Sequence, residues 1–317
     1  MNENFDHIES VYWVFTQLCN DNCDHCYNSS GPQGERISTQ DCLDIIDHLP
    51  PGMDRLILSG GEPLADRKKL YTILDKLAEV YGDRVEIMVQ TNGDLLTEQR
   101  LQTLIDKGVT RFDIASIDRY HKHAGDRLME LSELFEAAGV NGTDKDPLID
   151  KDNYVKDRHL SWGYWGASED MWLGGNWARG RALEKNNWLR DPTHNFCSIL
   201  SGARNFLGGY DDIPQEISIQ LWKINPCCPG TQFPMGDARV EYVSEVLSKV
   251  KDHPVFQALN RGEPWEMGEK FGVSQTEAKQ KTEELENICL YCDNFFNEHM
   301  QDWNTGTFRE LPVISNE

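Results

Sequence analysis

The sequence predicts an α/β fold of βα units around a parallel sheet, on three observations. Short apolar strands alternate with helical patterns through the first half of the chain, as repeated βα units require. Polar and glycine-rich motifs fall at the ends of those strands, and eight of the nine cysteines fall into two groups, residues 19–26 and 197–292.

Residues 11–17 read as the first strand. Ser38 can cap a helix whose Cys42, Ile45, Ile46 and Leu49 share one apolar face. A strand at 55–59, a helix carrying Leu70, Leu74 and Leu77, and a strand at 85–90 follow. A helix with Leu101, Leu104 and Ile105 is closed by Gly108, and residues 111–116 make the fourth strand. The next helix, with Leu128, Leu131, Leu134 and Phe135, ends at Gly139, and residues 141–152 read as a loop. Residues 159–166 are a candidate fifth strand, with no clear helix and sixth strand after it. From about Cys197 the pattern changes to a glycine-rich, hairpin-like segment, then the Cys227-Cys228 pair, an acidic helix and a closing Cys-x-x-Cys.

With 317 residues, 39% of them hydrophobic, the chain can bury a full core. The expected division is a barrel domain over 1–190 and a cysteine-bearing module over 191–317. Neither a signal-peptide start nor a run of about 18 apolar residues is present, so the expected location is the cytoplasm. Thirty-one basic against 53 acidic residues leave a formal charge of -22, which would repel a phosphate backbone. Neither nucleic acid nor membrane is an expected partner. Without a secretion signal, metal binding explains nine cysteines better than a disulfide framework.

Cys19, Cys23 and Cys26 stand as CNDNCDHC after the first strand, where barrel folds carry their chemistry. Three thiolates can hold three irons of a cubane and leave the fourth open. A zinc knuckle is the alternative, with His25 or a distant residue as fourth ligand. Ser59-Gly60-Gly61-Glu62-Pro63, Thr91-Asn92-Gly93 and Ser116-Ile117-Asp118 end the next three strands. In a βα barrel these ends converge on one mouth.

In these motifs the sequence resembles the radical S-adenosylmethionine superfamily, whose hallmark is CxxxCxxC followed by GGEP and TNG at successive strand ends. The resemblance covers roughly residues 10–120 and implies a partial (β/α)6 TIM-like barrel. It implies that Cys19, Cys23 and Cys26 ligate a 4Fe-4S cluster whose open iron takes the amino and carboxylate groups of S-adenosylmethionine. Gly60, Gly61 and Glu62 would hold the amino group, Asn92 would lie near the methionine part, Ser116 and Asp118 near the ribose, and Tyr27 near the adenine. Arg119, where relatives often have glycine, and His25, where they often have an aromatic residue, depart from the pattern; His25 reads as a loop histidine.

Cys197, Cys227, Cys228, Cys289 and Cys292 form the second group, and four thiolates suffice for a closed 4Fe-4S cluster. Residues 216–228 look like the second arm of a hairpin that delivers a ligand. The order of single Cys, hairpin, Cys, helix and Cys-x-x-Cys is similar to the twitch form of the SPASM auxiliary-cluster module, and no cysteine follows Cys292, so one auxiliary cluster is expected. Its ligands would be Cys197, Cys227, Cys289 and Cys292, with Cys228 competing with Cys227 and structural zinc as the alternative metal. Cys42 reads as a core thiol.

The tryptophans at 162, 165, 172, 177 and 188 either wall a water-excluding pocket or fill an interface. Arg181, in a GRA segment like one in several relatives, either contacts substrate or pairs on the surface. Residues 265–281 have helix-turn-helix cadence with a Ser274/Glu277 capping box, but the surrounding acidity opposes a DNA-binding iron-sulfur regulator. The resemblance implies an enzyme that reductively cleaves S-adenosylmethionine to a 5'-deoxyadenosyl radical and abstracts a substrate hydrogen atom, with a flavodoxin- or ferredoxin-type electron donor. Oxidation or rearrangement of a small molecule, with the auxiliary cluster as electron acceptor, is the expected outcome; maturation of a ribosomal peptide by crosslinking or oxidation is the alternative.

Overall fold

The computed structural model describes residues 5–121, 127–142, 160–164 and 173–304. Among the described residues nine strands make one open sheet in the order β5-β6-β4-β3-β2-β1-β7-β8-β9. These are β1 (His7–Val14), β2 (Gly52–Ser59), β3 (Glu86–Thr91), β4 (Val109–Ile114), β5 (Asn141–Gly142), β6 (Ser161–Tyr164), β7 (Glu216–Gln220), β8 (Lys223–Asn225) and β9 (Gly236–Asp237). Every pairing from β5 to β7 is parallel, and β8 and β9 continue antiparallel. The fold is thus the expected α/β type with a mostly parallel, unclosed sheet.

Helices α1 (Thr39–His48), α2 (Arg67–Tyr81) and α3 (Glu98–Asp106) follow β1, β2 and β3, and α4 (Arg127–Ala137) follows β4. Ser38 caps α1 reciprocally with Asp41, which satisfies two otherwise orphaned amides. Cys42, Ile45 and Ile46 on its inner face are buried, so Cys42 is a core thiol. Leu70, Leu74 and Leu77 do the same for α2. Each such side chain contributes roughly 1.5–3 kcal/mol of burial.

Several boundaries differ from the sequence reading, and Asn141–Gly142, expected as the start of a loop, pairs with β6 as β5. The first strand begins at His7 because its whole length pairs with β2 from Gly52 onward. Phe15 N still donates to Ser59 O at 3.2 Å, but residues 16–17 pair instead with the segment before α1, through a Thr16–Arg36 bridge and a Gln17 N–H donating to Glu35 O at 2.8 Å. Residues 216–228 are not one arm of a hairpin but a whole one. β7 docks parallel on the free edge of β1, and β8 turns back on it around Leu221, whose φ of 58° reverses the chain. The Trp13 indole N–H donates to Leu221 O at 2.9 Å and ties this turn to the sheet centre. The sheet therefore runs on past the expected 190/191 boundary.

The C-terminal part adds α5 (Gly180–Glu184), α6 (Val243–Val250), α7 (Pro254–Asn260), α8 (Gln275–Leu285), α9 (Ile288–His299) and α10 (Gln301–Asn304). The Ser274/Glu277 capping box opens α8 as expected. What precedes it is two 3-10 turns, Pro264–Glu266 and Glu269–Phe271, so the first helix of a helix-turn-helix is not formed there. Among the described residues no helix is long and apolar enough to cross a membrane.

Candidate active site and two cysteine centres

A cleft of about 1100 Å3, open to solvent, lies at the C-terminal ends of β1 to β4. Cys19, Cys23, Cys26 and Tyr27 line it from the loop after β1, Gly60 and Gly61 from the end of β2, Asn92 from the end of β3 and Asp118 from beyond β4. The loop is held by main-chain bonds to the glycine motif. Gly61 N donates to Thr16 O at 2.7 Å and Glu62 N to Leu18 O at 2.9 Å. A Cβ on Gly61 would stand 2.6 Å from Leu18 O and 2.9 Å from the Cys19 Cβ, so only glycine allows this approach.

Glu62 is buried and points into the protein. Its carboxylate accepts from Thr91 Oγ1 at 2.8 and 2.9 Å, from Asn92 N at 2.8 Å and from Leu64 N at 2.9 Å. Burial pushes its carboxyl up to about 7, against the pull of the Leu64 and Asn92 amides. Glu62 thereby splices the β2 motif to the β3 motif. Ser116 is also a brace, donating to Asn92 O at 2.7 Å from a buried position. The Asn92 amide reaches Asn20 Oδ1 at 3.0 Å and comes within 4.0 Å of Cys19 Sγ.

Asp118 accepts from the amides of Tyr120 and His121 and pairs with His121 Nδ1 at 2.9 Å. Burial works against its charge, yet the bond and charge from His121 hold its carboxyl below the ordinary value. His121, which the sequence reading did not single out, stands edge-on to His25 at 4.5 Å. His25 is pushed down to about 4 by burial, and then by His121. Its nitrogens, those of His121 and Cys23 Sγ include ligand atoms within 4.8 Å of one another. His25 is thus part of the cleft wall rather than an idle loop residue.

The three thiols suit a metal centre. None is in a disulfide, and burial raises Cys19 to about 11 and Cys23 further. Each of these two is also raised by the charge of Cys26. Neutral in isolation, such thiols ionise against a bound cation.

The second group separates into two roles. The thiols of Cys197, Cys227, Cys289 and Cys292 are buried together: burial raises all four, and Cys197 is pushed further by Cys289, Cys292 and Cys227. Cys228 faces the other way, lining the cleft and donating from Sγ to the Tyr27 hydroxyl at 3.3 Å. The two adjacent cysteines, which spacing cannot separate, thus face different surroundings. Helix α9 presents Cys289 and Cys292 one turn apart, with Asn287 capping its start by accepting from Cys289 N.

A three-residue segment at the start of α5, Arg179 to Arg181, links the two cysteine groups. Arg179 reaches the second, with Nη1 2.8 Å from Asp293 Oδ2 and donating to Cys289 O at 3.1 Å. Arg181 reaches the first, donating to Cys23 O at 2.7 Å, Ser29 O at 3.1 Å and Ser30 O at 2.5 Å. Arg181 is therefore neither a surface ion-pair partner nor a cleft-lining residue; it binds the carbonyls of the cysteine loop. Gly180 between them has φ 50°, and a Cβ there would lie 2.3 Å from Tyr27 O. Of the tryptophans, Trp177 lines the cleft edge-on to Tyr27 at 4.9 Å, Trp162 stacks on Phe135 in the core, and Trp188 lies under Arg190. Residues 165 and 172 lie outside the described residues.

Among solved structures, the chain is similar in shape to BtrN in complex with AdoMet and 2-DOIA (17% identity, 85% of this chain and 96% of that chain, TM-score 0.45). It is similar as well to Streptococcus suis SuiB bound to precursor peptide SuiA (13%, 80% and 67%, TM-score 0.44) and to anSMEcpe with bound AdoMet (12%, 93% and 97%, TM-score 0.47). A search of curated proteins found no match. Residues 13–154 match the family model of the Radical SAM superfamily, whose members use a 4Fe-4S cluster and S-adenosylmethionine. This region of the chain, from β1 through the cysteine loop, the glycine motif and the braced ends of β3 and β4, is a radical SAM domain.

Proposed function

We propose that the chain is a radical SAM enzyme that oxidises or rearranges a small polar molecule, using two iron-sulfur centres. The observation that carries this reading is the meeting of Cys19, Cys23 and Cys26 with the Gly60-Gly61 and Asn92 strand ends around one cleft. Cys19, Cys23 and Cys26 would hold a 4Fe-4S cluster there, which, once reduced by an external one-electron donor, would supply the electron for reductive cleavage of S-adenosylmethionine and hence for hydrogen-atom abstraction from substrate. Cys197, Cys227, Cys289 and Cys292 would close a second cluster, which supplies an acceptor for the substrate's electron.

The protein's own work is to orient and to exclude water. Arg181 and the Gly61 and Glu62 amides fix the cysteine loop, while Glu62, Thr91 and Ser116 lock Asn92 at the mouth. Trp177, Tyr27 and Leu173 give the cleft an apolar wall. Among the described residues lining it there is no lysine or arginine, whereas Asp21 and Asp118 are acidic. Such a lining favours a neutral or amine-bearing substrate over a phosphate ester or carboxylate.

The test is anaerobic reconstitution with iron and sulfide, followed by dithionite and S-adenosylmethionine. Formation of 5'-deoxyadenosine with about eight irons per chain is the expected result, by the ligand count above. Zinc in place of iron, or no 5'-deoxyadenosine from an iron-loaded protein, would overturn it.

A further inference from the structure

Arg179 is a nearly buried cation, its side chain 13% exposed, in a place where the first-centre chemistry has no use for it. Its guanidinium joins two of the three chain segments that carry the second thiol group. Nη1 bonds Cys289 O and Asp293 Oδ2, on the helix of Cys289 and Cys292. Nη2 reaches Gly230 O at 3.5 Å, in the turn where Gly230 N donates to Cys227 O at 3.1 Å. Its positive charge is thus fixed beside the segments that carry Cys227, Cys289 and Cys292. Asp293, directly after Cys292, opposes it.

A buried arginine costs desolvation and is retained where it is paired. Among the described residues one carboxylate, that of Asp293, pairs it, and the thiols carried by the segments it bonds would, once ionised, make the local balance strongly negative. Taking up one electron makes such a centre more negative by one, and a fixed cation stabilises the reduced form more than the oxidised form. Counter-charge and hydrogen bonding beyond the ligands are known levers on a metal centre.

We propose that Arg179, opposed by Asp293, raises the reduction potential of the centre held by Cys197, Cys227, Cys289 and Cys292 and so fits it to accept an electron. Arg179 is a positioning and tuning residue, not a catalytic one. The inference rests on the second-cluster reading above and would add to it the control of the cluster's direction of electron flow.

The test is an EPR-monitored redox titration of the reconstituted full chain, comparing wild type with Arg179→Gln, Arg179→Lys, Asp293→Asn and the Arg179→Gln/Asp293→Asn double variant. Arg179→Gln is expected to lower the reduced-to-oxidised ratio of the second centre at fixed potential about tenfold, equivalent to about 59 mV for a one-electron couple. Asp293→Asn should shift it the opposite way, the double variant should return near wild type, and Arg179→Lys should keep most of the wild-type value. Shifts of the same sign in Arg179→Gln and Asp293→Asn, or none in either, with about eight irons bound, would overturn the inference and leave the second cluster standing. If Arg179→Gln fails to load, Asp293→Asn decides: an unshifted potential there, or a shift downward, defeats the tuning role. A wild type that stops at about four irons with no second signal defeats the second-cluster reading itself.

Discussion

The two cysteine centres are built in opposite ways. The first takes its three thiols from eight consecutive residues on one loop at the rim of a solvent-open cleft. The second gathers four from three distant segments, at 197, 227 and 289–292, with the last two buried on α9. A loop with three donors and an open side leaves a coordination position for a ligand, whereas four donors in a closed setting leave none. Reactivity belongs with the first arrangement and charge storage with the second.

The widest test of that contrast removes the loop thiols together. Cys19, Cys23 and Cys26 changed to alanine should abolish 5'-deoxyadenosine formation and leave about four of about eight irons bound. Loss of all iron would mean that the two centres are not independent. The next test divides the adjacent pair. Cys227→Ala should lose about half the iron, while Cys228→Ala should keep it and cost only about 1 kcal/mol for the Tyr27 contact. Iron analysis beside thermal melts reads both, and the reverse pattern would reassign the fourth ligand.

The same contrast governs what could be read from sequence. The first centre was legible because its parts are local: CxxxCxxC, GGEP and TNG each sit within a few residues, and strand periodicity fixes where their ends meet. The second was legible only as a set of thiols, since spacing cannot tell Cys227 from Cys228. That choice depends on β8 turning back on β7, which sends one thiol inward to Cys289 and the other to Tyr27. β7 itself was misread because EISIQ alternates as any strand does, and nothing local says that its neighbour is β1. Arg181 escaped for a related reason: its partners are main-chain carbonyls at 23, 29 and 30, and carbonyls leave no mark in a sequence.

Arg181 therefore offers a sharper probe of the first centre than its cleft-lining neighbours. Arg181→Gln removes charge-assisted bonds to three carbonyls and should cost about 3 kcal/mol, seen in denaturant unfolding. It should loosen the first cluster before the second, so iron released by mild chelation should come from the centre that supports 5'-deoxyadenosine formation. Equal release from both centres would show that the Arg179-Gly180-Arg181 segment acts as one strap. Gly180→Ala reports on that segment alone, because its left-handed backbone and the 2.3 Å approach to Tyr27 O leave no room for a methyl group.

The smallest expected effect concerns acid and the scaffold of the second centre. His253 precedes α7 and lies against Phe256 at 5.5 Å and Trp303 at 5.3 Å. Burial pushes its imidazole down from 6.5 to about 4. A folded value below the unfolded one means that the unfolded chain binds more protons between those limits. Its contribution to stability is therefore complete above about pH 6.5 and is lost as pH falls toward 4. With its partial exposure the loss is about 2 kcal/mol rather than the full linkage value. His253→Phe keeps the aromatic packing and removes the titration, so its acid unfolding limb should be flatter than wild type over pH 6.5 to 4. An unchanged limb would shift the acid sensitivity of this region to other groups and leave the C-terminal scaffold no more acid-labile than the sheet that carries the first centre.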